Sequence, residues 1–265
     1  STLMDMRPCS VAGMFYPAEP RHLEQLLETF FRNRAPGVDA RGIVSPHAGY
    51  VYSGETAACA FSTIPPDFDG TFVVIGPSHR GYMTCVSAIP WETPLGIVDV
   101  DTEFVDALDI EIDEVSHRSE HSIEVQMPLI KYRFPRARVA PVLMGEQSYE
   151  AAALLADQVL RAAGHTGRNV RIVASSDFSH YVPDQVARRQ DLLAIDALKT
   201  LDIPEFYRRL QETGATVCGY GPIAAMCIAC RSLGAERGEL LRYTTSGDVT
   251  GDLDQVVGYA AIAVV

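Results

Sequence analysis

The chain has 265 residues, of which 47% are hydrophobic, and a net charge of -12 at neutral pH. This acidity excludes the clustered basic surface that binds phosphate, so we expect no nucleic-acid partner. No apolar run approaches the roughly 20 residues that span a bilayer, and residues 1–10 lack the pattern of an export signal. We therefore expect a cytoplasmic protein without a membrane partner.

Short β-branched runs alternate along the chain with longer segments of helical period. The predicted strands are Gly42–Ser45, Thr71–Ile75, Val139–Met144, Val170–Ala174 and Gly258–Val265. The predicted helices are Arg21–Phe31, Glu55–Thr63, Tyr149–Ala163, Pro183–Leu201, Pro204–Gln211 and Pro222–Leu233. This order predicts an α/β fold with a largely parallel central sheet between layers of helices. Because no linker interrupts it, we expect one domain over residues 1–265.

Three predicted strands each deliver a histidine just beyond their carboxyl end, namely His47, His79 and His180. A single histidine in such a place is more often a hydrogen-bonded packing residue than a ligand. Ligands of open α/β sheets bind at this edge, however, so the repetition favours convergence on one crevice. Pro46 and Pro77 fix the backbone ahead of the first two, and we predict His47 and His79 as metal ligands.

Cys218 lies in a turn with Gly219 and Gly221, which allow the backbone to approach a site closely. A thiolate beside two imidazoles forms a set of ligands suited to iron, copper or zinc. The alternative is a buried, unreactive thiol. The other five cysteines stand in apolar settings and are expected to be reduced, with Cys227 and Cys230 as core residues of one helix.

Asp177 and His180 are three residues apart, so the carboxylate could orient the imidazole for general acid–base catalysis. His180 could instead be a fourth ligand, and Asp177 could simply cap the following turn. His121 and Glu124 share one helical face. We expect them to support the ligands from behind, or else to belong to a helix cap.

At these motifs the sequence resembles the Memo family, whose bacterial and archaeal branch is called AmmeMemoRadiSam system protein B. The motifs are Ala12–Pro17, Pro46–Tyr50, Gly76–His79, Glu120–Glu124, Ser175–His180 and Cys218–Gly219. The resemblance implies the fold of class III extradiol ring-cleaving dioxygenases. It also implies metal ligands at His47, His79 and Cys218, with Asp177 and His180 in the same pocket. Those dioxygenases use a carboxylate where this chain has Cys218.

The leading hypothesis is a dioxygenase-like, non-haem redox enzyme that holds one iron(II) or copper ion and acts on a small molecule such as a phenol. In it, His180 moves protons and Asp177 orients it. A second hypothesis is a hydrolase that depends on zinc or on Cys218. A third is a non-catalytic metal-binding or partner-binding protein that acts with a radical-SAM protein, an association that the family name implies.

Overall fold

The protein is described by a computed structural model over residues 5–34, 38–81 and 83–265. The segment 1–10, considered above for an export signal, lies partly outside the described residues. The strands within them are β1 (Gly42–Ser45), β2 (Thr71–Pro77), β3 (Cys85–Val86), β4 (Trp91–Thr93), β5 (Gly96–Val98), β6 (Arg138–Met144), β7 (Val170–Ser175), β8 (His180–Val182), β9 (Gly238–Thr245) and β10 (Val256–Val264). The helices are α1 (Pro20–Phe31), α2 (Tyr50–Phe61), α3 (Thr102–Ala107), α4 (Glu114–Arg118), α5 (His121–Glu124), α6 (Gln126–Arg133), α7 (Tyr149–Thr166), α8 (Asp184–Leu198), α9 (Ile203–Thr213), α10 (Tyr220–Ser232) and α11 (Gly247–Thr250).

The central sheet has the strand order β3-β6-β2-β7-β1-β10-β8, with β9 paired to β10. Its middle strands β6, β2, β7 and β1 are parallel, whereas β3, β8, β9 and β10 are antiparallel to their neighbours. Helix α2, with α1 and α6 against it, covers one face, and α10, with α7 and α9, covers the other. The predicted α/β class with a largely parallel sheet is therefore confirmed.

Burial explains why the parallel strands form where the sequence predicts them. Every residue of β1, β2 and β7 is buried, as expected for strands covered by helices on both faces. The buried apolar side chains form one cluster that includes Cys227 and Cys230 of α10. The number of domains stays a prediction.

The elements missed by sequence analysis are short or half-buried. Strands β3, β4, β5 and β8 have two or three residues each. Strand β9 mixes charged and apolar residues that are only partly buried. Helix α2 starts at Tyr50, five residues before the predicted Glu55, immediately after the loop that carries His47. In the described ranges, no helix combines the length and apolarity needed to cross a membrane.

Candidate metal centre

His47 follows β1 and is almost fully buried, with 1% of its surface exposed. Its backbone N–H donates to Oδ1 of Asp177 at 2.9 Å, and its ring Nδ1 lies 2.9 Å from Oγ of Ser175. Ser175 at the end of β7 therefore fixes the ring of His47, and Asp177, two residues further on, fixes its backbone. This contact is possible because β1 and β7 are parallel and their carboxyl ends meet at one edge of the sheet.

The hydrogen bonds around Ser175 decide which nitrogen of His47 carries the proton. The Ser175 hydroxyl donates its single proton to the carbonyl of Ser122 at 2.6 Å and accepts from Nε2 of Gln126 at 2.9 Å. The Gln126 amide cannot be reversed, because the same Nε2 also faces the carbonyl of Pro46 at 3.0 Å. Ser175 can therefore only accept from His47, so Nδ1 is protonated and Nε2 keeps a free lone pair.

His79 follows β2, and Glu120 holds it. The carboxylate of Glu120 accepts from the backbone N–H of His79 at 2.8 Å and from its ring Nδ1 at 2.9 Å. Burial alone would raise the pKa of Glu120, but these contacts outweigh it and bring the pKa to about 2. Because an ionised carboxylate only accepts, Nδ1 of His79 carries the proton and Nε2 is free to bind a metal.

His121 is the first residue of α5, and its ring lies within 5.3 Å of the rings of both His47 and His79. Helix α5 approaches β2 closely at Gly76, where any Cβ would collide with the side chain of Ser122. The ligand nitrogens of His47, His79 and His121 all lie within 4.8 Å of one another. Sequence analysis placed His121 behind the ligands, whereas the structure places it beside them.

The charge states of two of these imidazoles, His47 and His121, suit a metal. Burial lowers the pKa of His47 to about 3 and that of His121 to about 4. The hydrogen bond to Glu120 raises the pKa of His79. At neutral pH, His47 and His121 are therefore neutral, as a metal ligand must be. With Nδ1 of two imidazoles engaged by acceptors, the donor set fits a metal ion.

Cys218 contacts His47, with Sγ 3.3 Å from Nε2 of His47. Its sulfur accepts the backbone N–H of Asp177 at 3.3 Å. Burial, followed by the charge of Asp177, raises the pKa of the thiol. A Cβ at Gly219 would lie 2.5 Å from the carbonyl oxygen of Ser175, so glycine permits this close approach, as predicted. Cys218 thus neighbours a candidate ligand, His47, and its role as a third ligand stays a prediction.

Asp177 and His180 line the same cavity, but the contact that orients His180 comes from Thr216. The carbonyl of Thr216 lies 2.9 Å from Nδ1 of His180, and the Thr216 hydroxyl accepts the His180 backbone N–H at 2.8 Å. A carbonyl only accepts, so Nδ1 of His180 is protonated and Nε2 is free. The Asp177 carboxylate instead lies beside His47, with Oδ2 of Asp177 3.7 Å from Nε2 of His47.

One cavity of about 460 Å³ is lined by His47, His79, His121, Asp177 and His180. Aromatic rings line it alongside the imidazoles, from Phe15, Tyr52, Tyr181 and Tyr259. Its volume falls within the range of small-molecule sites. Within the described part of the chain, its lining contains no lysine or arginine.

Glu124 is the last residue of α5, and its side chain contacts the N-terminal segment, residues 7–16. Its carboxylate is paired with Arg7 and accepts from the backbone N–H of Val11 at 2.9 Å and the hydroxyl of Tyr16 at 2.8 Å. Sequence analysis placed it behind the ligands without naming these partners. Gln126 and Ser175 were also missed, since only the folded chain brings them to His47.

The fold and this site define an α/β protein with a cluster of three histidines at the carboxyl edge of its parallel strands. Residues 7–263 match the family of Memo-like proteins. The chain is 45% identical to a MEMO1 family protein of Methanosarcina barkeri, over 98% of this chain and 100% of that protein. It is 46% identical to one of Archaeoglobus fulgidus, over 97% and 98%, and 42% identical to one of Nitrosopumilus maritimus, over 95% and 97%. The chain belongs to the Memo family, as its motifs predicted.

Proposed function

We propose that this protein binds one redox-capable metal ion, iron or copper, and acts as a non-haem redox enzyme on a small molecule in the cytoplasm. The convergence of His47, His79 and His121 is the observation that carries this proposal. Neutral imidazoles whose Nδ1 atoms are held by acceptors are the ligands that such ions prefer, and zinc also accepts them. A bound iron or copper ion would supply single-electron transfer that side chains alone do not provide.

The side chains around the ligands support a proton-transfer role. His180 lines the cavity and is protonated on Nδ1, so its Nε2 can accept a proton from a bound molecule. Burial raises the pKa of the Asp177 carboxyl, which lines the same cavity beside His47. The aromatic lining offers an apolar surface for a small planar substrate such as a phenol and excludes water from part of the cavity.

The contact between Cys218 and His47 favours one alternative, a hydrolase with Cys218 as nucleophile. Sγ and Nε2 are 3.3 Å apart, the distance at which a histidine activates a thiol. The raised pKa of Cys218 opposes this role, since the thiolate is the reactive form. We therefore rank the metal-dependent redox function first.

Anaerobic metal analysis tests both functions and identifies the third ligand. Iron, copper and zinc are quantified per chain in the wild type, His121→Ala and Cys218→Ser after reconstitution. About one iron or copper per wild-type chain is expected. Loss in His121→Ala alone would assign the set of three histidines, and loss in Cys218→Ser alone would assign the thiolate. Zinc alone would favour hydrolysis, and no stoichiometric metal would refute the proposal.

A further inference from the structure

We propose that Arg7 and Glu124 are positioning residues for the metal centre, and that their buried ion pair sets its metal affinity. This inference depends on the metal-binding function proposed above. Arg7 and Glu124 are 0% and 1% exposed, and the pair lies between the N-terminal segment and α5. Buried ion pairs are weak evidence of stabilisation, because the cost of desolvation offsets the attraction. Their hydrogen bonds, by contrast, fix geometry, and here they reach the residues that hold the site.

Arg7 fixes the start of α5. Its Nη2 donates to the carbonyl of Glu120 at 3.1 Å and to that of His117 at 3.0 Å, and its Nε donates to His117 at 3.2 Å. Its guanidinium lies 4.3 Å from the centre of the Trp91 ring. Glu120 holds the ring of His79, and its carbonyl belongs to the peptide that leads into His121. One buried cation therefore locates the residues on both sides of this peptide bond.

Glu124 fixes the end of α5 and orders the N-terminal segment. It accepts from the backbone N–H of Ser10 at 2.8 Å, from Val11 at 2.9 Å and from the Tyr16 hydroxyl at 2.8 Å. With Arg7 as a further donor, both carboxylate oxygens are satisfied. The ion pair therefore holds α5 at its N-cap residue, Glu120, and at its last residue, Glu124.

The same segment also reaches the ligands directly. The ring of Phe15 lies 4.7 Å from the ring of His121. The backbone carbonyl of Phe15 accepts the Tyr50 N–H at 2.7 Å. Tyr50 begins α2, directly after the loop of His47. The segment thus connects the helix that carries His121 with the loop that carries His47. Ligands need placement to within about 0.5 Å, so loosening this connection weakens the centre.

The experiment compares Arg7→Met, Arg7→Lys and the double variant Arg7→Met/Glu124→Leu with Asp101→Asn as the matched control. Asp101 is equally buried and pairs with Arg168, but it lies near the first residue of β2, at the opposite edge of the sheet. Each protein is titrated anaerobically with Co²⁺ alone, and the visible spectrum and dissociation constant are recorded. The double variant removes both charges together, which buried pairs tolerate better than loss of one partner.

We expect Arg7→Met and the double variant to weaken Co²⁺ binding by about tenfold or more and to change the visible spectrum. Arg7→Lys should recover part of the affinity, because it keeps the charge. Asp101→Asn should lower the melting temperature and leave Co²⁺ binding unchanged. If Arg7→Met and Asp101→Asn lose similar stability and both bind like wild type, the positioning role is refuted while the metal site stands.

A wild type that binds no metal would refute the proposed function. In that case the positioning role would be tested by imidazole ¹⁵N spectra of the metal-free proteins. Changed signals of His79 and His121 in the Arg7 variants, but not in Asp101→Asn, would support it. Identical spectra would overturn it.

Discussion

The two edges of the parallel sheet use buried polar groups in different ways. At the amino edge, Asp101 is fully buried and accepts from the Thr71 hydroxyl at 2.6 Å and from Nε of Arg168 at 2.9 Å. There a buried charge has its partners close by. At the carboxyl edge, the ligand nitrogens of His47 and His79 face one another and His121 within 4.8 Å. Lone pairs placed together in this way gain little stability, and they mark the edge where a metal ion could bind.

Removing a ligand should give the largest effect. His47→Ala and His79→Ala should each abolish stoichiometric metal binding, because only two imidazoles remain in the three-histidine cluster. Metal content after anaerobic reconstitution measures this, and circular dichroism verifies folding. Full metal occupancy in either variant would show that the substituted residue is not a ligand. The proposed difference between the two edges of the sheet would then be wrong.

His180→Gln should separate catalysis from binding at the carboxyl edge. Its imidazole is held by Thr216 outside the three-histidine cluster, so metal content should not change. Turnover should fall about 100-fold or more if His180 moves a proton. Oxygen uptake with phenolic substrates measures the rate, and metal analysis of the same samples is the control. Loss of metal would instead make His180 a ligand.

Glu120→Gln should have an intermediate effect, because it changes the residue that holds His79 and leaves His79 itself in place. The variant loses the negative charge that Glu120 places on His79. We expect metal affinity to fall about 10-fold to 100-fold, which is typical of such supporting residues. Competition with a chelator measures it. Unchanged affinity would show that Glu120 serves only as the N-cap of α5.

Asp101→Asn should have the smallest effect on the site and a clear effect on stability. Burial alone would raise the pKa of Asp101, but hydrogen bonds from Thr71 and Arg168 outweigh it and lower the pKa. The carboxylate therefore stabilises the fold above its unfolded pKa of about 3.9, and this contribution is lost as pH falls through the lower folded pKa.

We expect the substitution to cost about 2 kcal/mol near neutral pH and less in acid. Urea unfolding from neutral pH down to roughly pH 3 measures both values. An equal cost at both ends of this range would contradict the linkage. A change in metal affinity would show that the two edges are coupled.

The sequence could predict buried strands and their ends, whereas it could not predict contacts that depend on tertiary packing. Strands β1, β2 and β7 are buried throughout and mostly apolar because helices cover both faces, so their ends, and with them His47 and His79, could be located. His121 follows no strand, and it reaches the cluster only because Gly76 lets α5 pack against β2. Its neighbour Glu120 was visible as a polar residue ahead of an apolar helix, but its contact with His79 depends on tertiary packing.

Hydrogen-bond partners were the hardest feature to predict. Asp177 is near His180 in sequence, yet its carboxylate lies on His47, and Thr216 orients His180. Similarly, Glu124 shares a helix with His121, yet it is paired with Arg7. Proximity in sequence gave the correct neighbourhood in both cases, but the partner came from a distant segment that spacing rules do not reach.

The three histidines come from separate stretches of the chain and meet only after β1, β2 and α5 have assembled. An unfolded chain would have to close long loops to form the same set, so a metal ion should bind the native state far better than the unfolded state. Bound metal would then raise the free energy of unfolding. This increase would grow by about 1.4 kcal/mol for every tenfold rise in free ion above the dissociation constant. The melting temperature of this protein would thus report the metal supply around it.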